Sequence, residues 1–193
     1  MIMNTPQIQD FAGKRIHMIG IGGSSMSGLA QMLQHLGYQV TGSDQNDGYL
    51  MNDVRQAVTI GHRAENVHGA DLVVYTAAIP LTNPERAEAE RLHIPSMERA
   101  ELLGQLMRHY ARAIGICGAH GKTTTTSMLS EILVECGLDP SVHIGGNPHW
   151  SQRYFCCRSV RIQPLIPAYA SDDGGCAEYR RGSLGLLQGH RRD

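Results

Sequence analysis

The 193-residue sequence predicts an α/β protein with a doubly wound parallel sheet. Three observations indicate this class. Apolar segments of strand length alternate with segments of helical periodicity, two of the strands run into glycine-rich turns, and each of those turns begins a helix. In such folds ligands bind at the carboxyl ends of the strands, which is where both turns lie.

The first strand–turn–helix segment begins at Lys14. Residues 14–19 have the composition of a buried strand, residues 20–28 form the turn, and a second strand over residues 38–43 ends at Asp44. The pattern is typical of a dinucleotide-type, Rossmann-like unit, in which an acidic residue about 20 positions after the turn holds a ribose hydroxyl. It departs from that fingerprint at Ser25, where a third glycine is expected, and a tight turn without a ligand is the alternative.

The alternation continues to residue 110. Five further elements are predicted there: a short helix ending at residues 53–56, strands over residues 58–60 and 72–75, and helices over residues 85–92 and 98–110. Asn83 and Pro84 are predicted to cap the first of the two long helices, since proline suits the first helical position. Residues 76–78 follow a strand and are therefore expected at the same sheet edge as the first glycine turn.

A second strand–turn–helix segment predicts a phosphate-binding loop. The apolar run 111–117 leads into Gly118, Ala119, His120, Gly121 and Lys122, and a helix follows. Backbone N–H groups of such a loop hold phosphates, Lys122 adds a mobile positive charge, and Thr123 offers a hydroxyl to Mg²⁺. Ile116 stands where the general P-loop pattern has its first glycine, and an ordinary glycine turn is the alternative. A second sheet would begin here, which places a domain boundary near residues 108–111.

Composition excludes several classes of protein. A net charge of -1 gives no electrostatic reason to bind nucleic acid or an anionic membrane. The five cysteines include no Cys-x-x-Cys pair, which argues against zinc and a disulfide framework and indicates a cytoplasmic protein. The ten histidines show no ligand spacing, so most are expected at the surface or in packing roles.

Together the motifs resemble the muramyl (Mur) ligases. The resemblance lies in residues 20–30, 43–44, 75–79 and 118–126, covers residues 13–147 and ends on Gly145-Gly146-Asn147. Ser25 and Ala119 depart from the usual glycine and threonine, but both are small.

The resemblance implies a three-domain enzyme that uses ATP and Mg²⁺ to join L-alanine to the lactyl carboxylate of UDP-N-acetylmuramate through an acyl phosphate. Residues 1–110 would form the UDP-substrate domain and residues 111–147 the start of a P-loop-type ATP domain. The residues implied for the UDP substrate are Gly20, Gly22, Gly23, Ser24, Ser25, Met26, Ser27, Asp44, Thr76 and Ala77. Those implied for ATP are Gly118, Ala119, His120, Gly121, Lys122, Thr123 and Thr124, with Lys122 and Thr123 catalytic and Thr123 a metal ligand.

Residues 148–193 do not share the resemblance. This segment has no lysine and no clear alternation of strands and helices, and it reads as a divergent or disordered tail. A shift of the reading frame would explain this. If possible codons for residues 158–167 are read one base out of frame, they can encode Glu-Ala-Cys-Glu-Tyr-Asn-Arg-Ser-Phe-Leu, which is similar to a later family segment. Residues 185–192, moved in the same way, can read Asp-Tyr-Tyr-Lys-Asp-Ile-Asp, at a fitting separation. We therefore predict a frameshift after about residue 147.

The frameshift would leave an incomplete chain. Arg158 would stand where the family has a glutamate that binds Mg²⁺, so we expect no ligase activity from this chain alone and ready proteolysis of its tail. Two alternatives remain at this level: a non-catalytic module that binds a UDP-sugar or nucleotide, and a nicotinamide-dependent oxidoreductase that uses the first glycine turn.

Overall fold

The computed structural model describes residues 6–46, 58–118 and 120–144, together with the backbone of Tyr154–Arg158 and Gly185–Gln188. The chain divides into two compact units, Met1–Leu103 and Gly104–Asp193. Each unit is built on one sheet.

The sheet of the first unit has five strands, all parallel, which confirms the predicted α/β class. The strands are β1 (Arg15–Ile19), β2 (Gln39–Asp44), β3 (Val58–Ile60), β4 (Leu72–Tyr75) and β5 (Ser96–Glu98). Their order is β3-β2-β1-β4-β5, so β1 lies at the centre. The carboxyl ends of β2, β1 and β4 therefore meet at one edge, where the first glycine turn begins.

The described residues here include three α-helices: α1 (Ser24–His35), α2 (Pro84–Arg91) and α3 (Arg99–Arg108), the last of which extends into the second unit. They also include short 3-10 helices at Ile8–Phe11 and Ala64–Val67. All three α-helices confirm predicted helices, and the Asn83 side chain caps α2 by accepting from two of its amides. The strand β5 was not predicted, because three residues around one apolar side chain carry little periodic signal. The predicted short helix ending at residues 53–56 lies outside the described residues.

The core of the first unit lies on both faces of β1. Ile16, Met18 and Ile19 are fully buried, as parallel strands are when helices cover both faces. Ile19 also joins a buried cluster with Val67, Val73 and Ala89, against which Ile79 packs. The strand that leads into the glycine turn is thus rigidly held.

The second unit has a four-stranded sheet in the order β7-β8-β6-β9. Its elements are β6 (Arg112–Cys117), α4 (Lys122–Glu135), β7 (Pro140–His143), β8 (Tyr154–Arg158) and β9 (Gly185–Gln188). β6 pairs with β8 in parallel and with β9 in antiparallel orientation. The sequence shows no clear alternation of strands and helices after residue 147, yet the structure has β8 and β9 there, and they pair with the two edges of β6.

Within the described part of the chain, none of the helices has the length and apolar character needed to cross a membrane.

Candidate nucleotide-binding sites

The first glycine turn is fixed to the end of β2. The amides of Gly20 and Ile21 both donate to the carbonyl oxygen of Ser43, at 2.8 and 3.1 Å. The amide of Gly22 donates to Asp44 Oδ2 at 2.9 Å. The predicted turn residues and the predicted acidic residue are therefore brought together, and the carboxylate holds the turn directly.

The turn ends at the N-terminus of α1, which suits an anion. Gly23 is the N-cap and provides no side-chain cap, and the first turn of α1 contains no acidic residue. The first amides of a helix have no carbonyl partner within it, and the helix dipole adds partial positive charge at this end. Ser24 is exposed here, whereas Met26 and Ser27 are buried, so only the backbone of those two residues can serve a ligand.

Ser25, which departs from the glycine fingerprint, is bound to the next helix along this edge. Its hydroxyl accepts a hydrogen bond from Arg99 Nη1 at 2.9 Å. The serine thus ties the first turn of α1 to the first residue of α3. A glycine at this position would lack that bond.

The turn after β4 lies against the glycine turn. A β-carbon placed on Gly20 would lie 3.4 Å from Thr76 Cγ2 and 3.7 Å from Ile79 Cδ1. The turn is closed by the Ile79 amide, which donates to the Thr76 carbonyl at 3.0 Å, and by the Ala78 amide, which donates to Thr76 Oγ1 at 3.0 Å. The structure therefore places Thr76 beside the glycine turn and leaves Ala77 exposed next to it.

A buried polar cluster around Glu85 supports the same sheet edge. Glu85 is fully buried, and Ser43 Oγ and Asn66 Nδ2 each donate to its carboxylate at 2.5 Å. His17 Nε2 and His62 Nδ1 each lie 3.5 Å from Glu85 Oε2. Burial by itself raises the pKa of Glu85, but the nearby His17 ring and the hydrogen bonds from Ser43 and Asn66 lower that pKa overall.

The cluster was missed by sequence reasoning. Its members come from β1, β2, the segment after β3, and α2, so no local spacing connects them. The only local signal is the sequence Asn83-Pro84-Glu85, where a carboxylate at the start of a helix is readily explained by the helix dipole. Ser43 links the cluster to the site, because its hydroxyl donates to Glu85 and its carbonyl oxygen accepts from the amides of the glycine turn. Glu85 therefore supports the glycine turn indirectly.

Gly42 is a second residue whose role appears only in three dimensions. A β-carbon on Gly42 would lie 2.6 Å from Ile21 Cδ1 and 2.7 Å from the carbonyl oxygen of Met18. One of these contacts is with backbone, which cannot rotate away. The strand therefore needs glycine at this position so that the glycine turn can close over it.

We expect Gly42→Ala to lower the free energy of unfolding by about 1–3 kcal/mol, the usual cost of overpacking, and to shift the glycine turn. Urea denaturation measures the first effect. Gly115→Ala is the matched control, because its β-carbon would meet only Met107 Cε at 3.7 Å, an ordinary contact. Equal stability of the two variants would contradict the close approach at Gly42.

The second loop begins α4. Gly121 is the N-cap with φ of 74°, a left-handed conformation that favours glycine. Lys122 Nζ donates to the Gly118 carbonyl at 2.5 Å, so the lysine folds back over the loop. His120, Thr123 and Thr124 are exposed, and Ala119 lies outside the described residues. The predicted ATP residues that the structure describes thus share one loop and one helix start.

The Thr123 hydroxyl is a hard oxygen ligand of the kind Mg²⁺ prefers, and the remaining positions of such an ion are commonly filled by phosphate oxygens and water. Among the described residues, no three His, Cys, Asp or Glu side chains are grouped to hold a metal. The backbone of Arg158 pairs with Ile116, two residues before Gly118. The donor set fits an ion shared with a bound nucleotide rather than one held by protein alone.

Comparison with known proteins points to one family. Residues 15–111 match the family described as Mur ligase family, catalytic domain. The chain is 52% identical over 136 residues to the UDP-N-acetylmuramate–L-alanine ligase of Clostridium beijerinckii, and 49% identical over 136 residues to that of Alkaliphilus metalliredigens. Each match covers 69% of this chain and 30% of the relative, so the chain spans less than a third of their length.

Solved structures of Mur ligases share the fold, and two of them illustrate the likeness. The crystal structure of UDP-N-acetylmuramate-alanine ligase from Thermotoga maritima aligns with a TM-score of 0.70 and 25% identity, over 75% of this chain and 36% of that one. The UDP-N-acetylmuramate:L-alanyl-gamma-D-glutamyl-meso-diaminopimelate ligase from Neisseria meningitides aligns with a TM-score of 0.68 and 30% identity, over 76% and 52%.

Proposed function

Because the chain belongs to the Mur ligase family, we propose that it is the nucleotide-binding part of a UDP-N-acetylmuramate–L-alanine ligase of peptidoglycan precursor synthesis, acting in the cytoplasm. The observation that carries the proposal is the 52% identity over 136 residues to a relative of that name, in a chain whose two glycine loops both begin helices. An oxidoreductase would account for the first of these loops alone.

The first unit binds the UDP substrate in this proposal. The backbone of Gly22, Gly23 and Ser24 faces the diphosphate, while Asp44 accepts from a ribose hydroxyl. The geometry that supports this is the exposed N-terminus of α1 beside an anchored carboxylate. Thr76 and Ala77 flank the same edge from the β4 side.

The second loop binds ATP. The amides from Gly118 to Thr124 hold the phosphates, and Lys122 exchanges its contact with the Gly118 carbonyl for one with the transferring phosphoryl group. Thr123 would hold Mg²⁺, which supplies charge neutralisation between the two anionic reactants when bound.

The proposed reaction has two balanced steps. A carboxylate oxygen of the lactyl group attacks the γ-phosphorus of ATP, which forms the acyl phosphate and releases ADP. The amine nitrogen of L-alanine then attacks the acyl carbon, loses a proton and displaces inorganic phosphate, which leaves an amide. In such a reaction the protein positions the reactants and stabilises charge, so no nucleophilic side chain is required.

We expect the chain to bind UDP-N-acetylmuramate and to show no comparable affinity for NAD. Both ligands carry one diphosphate that could lie at the α1 N-terminus, so we propose that the preference comes from the turn with Thr76 and Ala77, which would contact the rest of the UDP-sugar. Isothermal titration calorimetry with UDP-N-acetylmuramate, UDP and NAD measures the preference. Tighter binding of NAD than of UDP-N-acetylmuramate would contradict the proposal.

A further inference from the structure

Arg86 lies in the first turn of α2 and contacts both ends of the 76–79 turn. Its Nη1 donates to the carbonyl oxygen of Ile79 at 2.7 Å, and its Cζ lies 3.9 Å from the ring centroid of Tyr75. Tyr75 ends β4 and immediately precedes the turn, whereas Ile79 is its last residue. One side chain therefore bridges the segment from end to end.

The turn itself buries little surface. Ala77 and Ala78 are exposed, and Thr76 is only half-buried. Its two internal hydrogen bonds both end on Thr76, so they fix the curvature of the turn but not its position. The position of the turn is fixed at its two ends. Ile79 packs on the buried cluster of the first unit, and Arg86 stacks on Tyr75 and donates to the Ile79 carbonyl oxygen.

The helix that carries Arg86 is firmly held. Asn83 Oδ1 accepts from the amides of Glu85 and Arg86, at 2.9 and 3.3 Å. The next side chain back along the helix, Glu85, is buried in the cluster that also holds Ser43. Neighbouring residues of one helical turn thus reach the ends of β2 and β4, on either side of β1.

We propose that Arg86 is a positioning residue of the UDP-substrate site: it holds the 76–79 turn in the conformation that presents Thr76 and Ala77 beside the glycine turn. The inference rests on the proposed function. Arg86 need not touch the ligand, because a turn that is already ordered loses less conformational entropy on binding. A planar guanidinium is suited to the task, since it stacks on a ring and donates in its own plane at the same time.

Arg86→Met tests the proposal, because methionine keeps an unbranched stem but removes the stacked charge and the donor. In the full chain we expect its Kd for UDP-N-acetylmuramate to rise roughly tenfold, equivalent to about 1.4 kcal/mol. Arg86→Lys should fall between this variant and the unmutated chain. The matched control is Arg91→Met on the same helix, whose guanidinium binds Glu88 at the surface, 2.8 Å away, and which should leave Kd unchanged.

Amide hydrogen exchange separates positioning from a general loss of stability. In free Arg86→Met the amides of Ala78 and Ile79 should exchange faster, while those of β1 and β4 keep their rates, and bound UDP-N-acetylmuramate should restore protection. An unchanged Kd, or faster exchange throughout the first unit, would overturn the proposal. If the unmutated chain fails to bind the UDP-sugar, the proposed function is wrong, yet exchange at the turn still reports whether Arg86 holds it.

Discussion

Lys122→Ala is expected to reduce ligation by a factor of about 10²–10³, since loss of one group that stabilises transition-state charge typically costs about 3–4 kcal/mol. The assay is L-alanine-dependent release of ADP. The assay requires a complete enzyme, which a fusion protein can provide. In this fusion, residues 13–147 of this chain are joined to the remainder of the Clostridium beijerinckii relative, to which the chain is 52% identical over 136 residues. The binding of UDP-N-acetylmuramate should stay within a few-fold, because we propose that this ligand binds to the first unit.

Glu131→Ala is the matched control for this prediction. Glu131 is exposed on α4, the helix that Lys122 begins, and lies outside the loop. Its replacement should leave ADP release unchanged. Activity of Lys122→Ala within a few-fold of the unmutated fusion would show that the loop does not serve the transferring phosphate.

Glu85→Ala is expected to lower the free energy of unfolding by about 3–5 kcal/mol, the usual cost of removing one partner from a buried ionic cluster. The substitution removes the buried carboxylate that accepts from the Ser43 hydroxyl and the Asn66 amide, and leaves these groups only their contacts with His62 Nδ1 and the Gly61 carbonyl oxygen. Urea denaturation measures the loss. Glu90→Ala, an exposed position on the same helix, should change stability by no more than about 0.5 kcal/mol.

The contribution of Glu85 should depend on pH in a defined direction. Its pKa is lowered in the folded chain from 4.5, so its stabilising effect is fully present above pH 4.5 and is lost as pH falls through the lower, folded value. The stability difference between the unmutated chain and Glu85→Gln should therefore shrink in acid. A difference that grows as pH falls below 4.5 would contradict the assignment of Glu85 as the ionised centre of the cluster.

The elements with strong periodicity could be predicted from sequence. β1, α1 and β2 follow from an apolar strand, a glycine turn and a helical face, and α2 follows from Asn83 and Pro84. The short strand β5 could not, because its pairing with β4 depends on the sheet and not on its own residues. The strands β8 and β9 were missed for the same reason, since the edges of β6 that they cover are not visible locally.

The candidate sites likewise contain residues that could be predicted from the sequence and residues that could not. The loops were visible because a glycine turn between strand and helix is a local pattern, and the sheet brings Asp44 and Thr76 to the first of them. Met26 and Ser27 were assigned from the same pattern, but their side chains face the interior. The supports Gly42, Glu85 and Arg86 contact partners that lie between 7 and 68 positions away in the sequence, and only the folded chain reveals what they touch.

The carboxylate that anchors the glycine turn also limits what can lie beside it. Asp44 Oδ2 accepts from the Gly22 amide at 2.9 Å and Oδ1 from the Asn46 amide at 3.1 Å. An ionised carboxylate can only accept hydrogen bonds, so a neighbouring group must bring a donor, as a hydroxyl does. A ribose carrying a phosphate monoester at that point would set like charge against like charge. In the proposed site, selection against a ribose phosphorylated at that hydroxyl would therefore depend on the same carboxylate that shapes the turn, and a substitution of Asp44 would affect both.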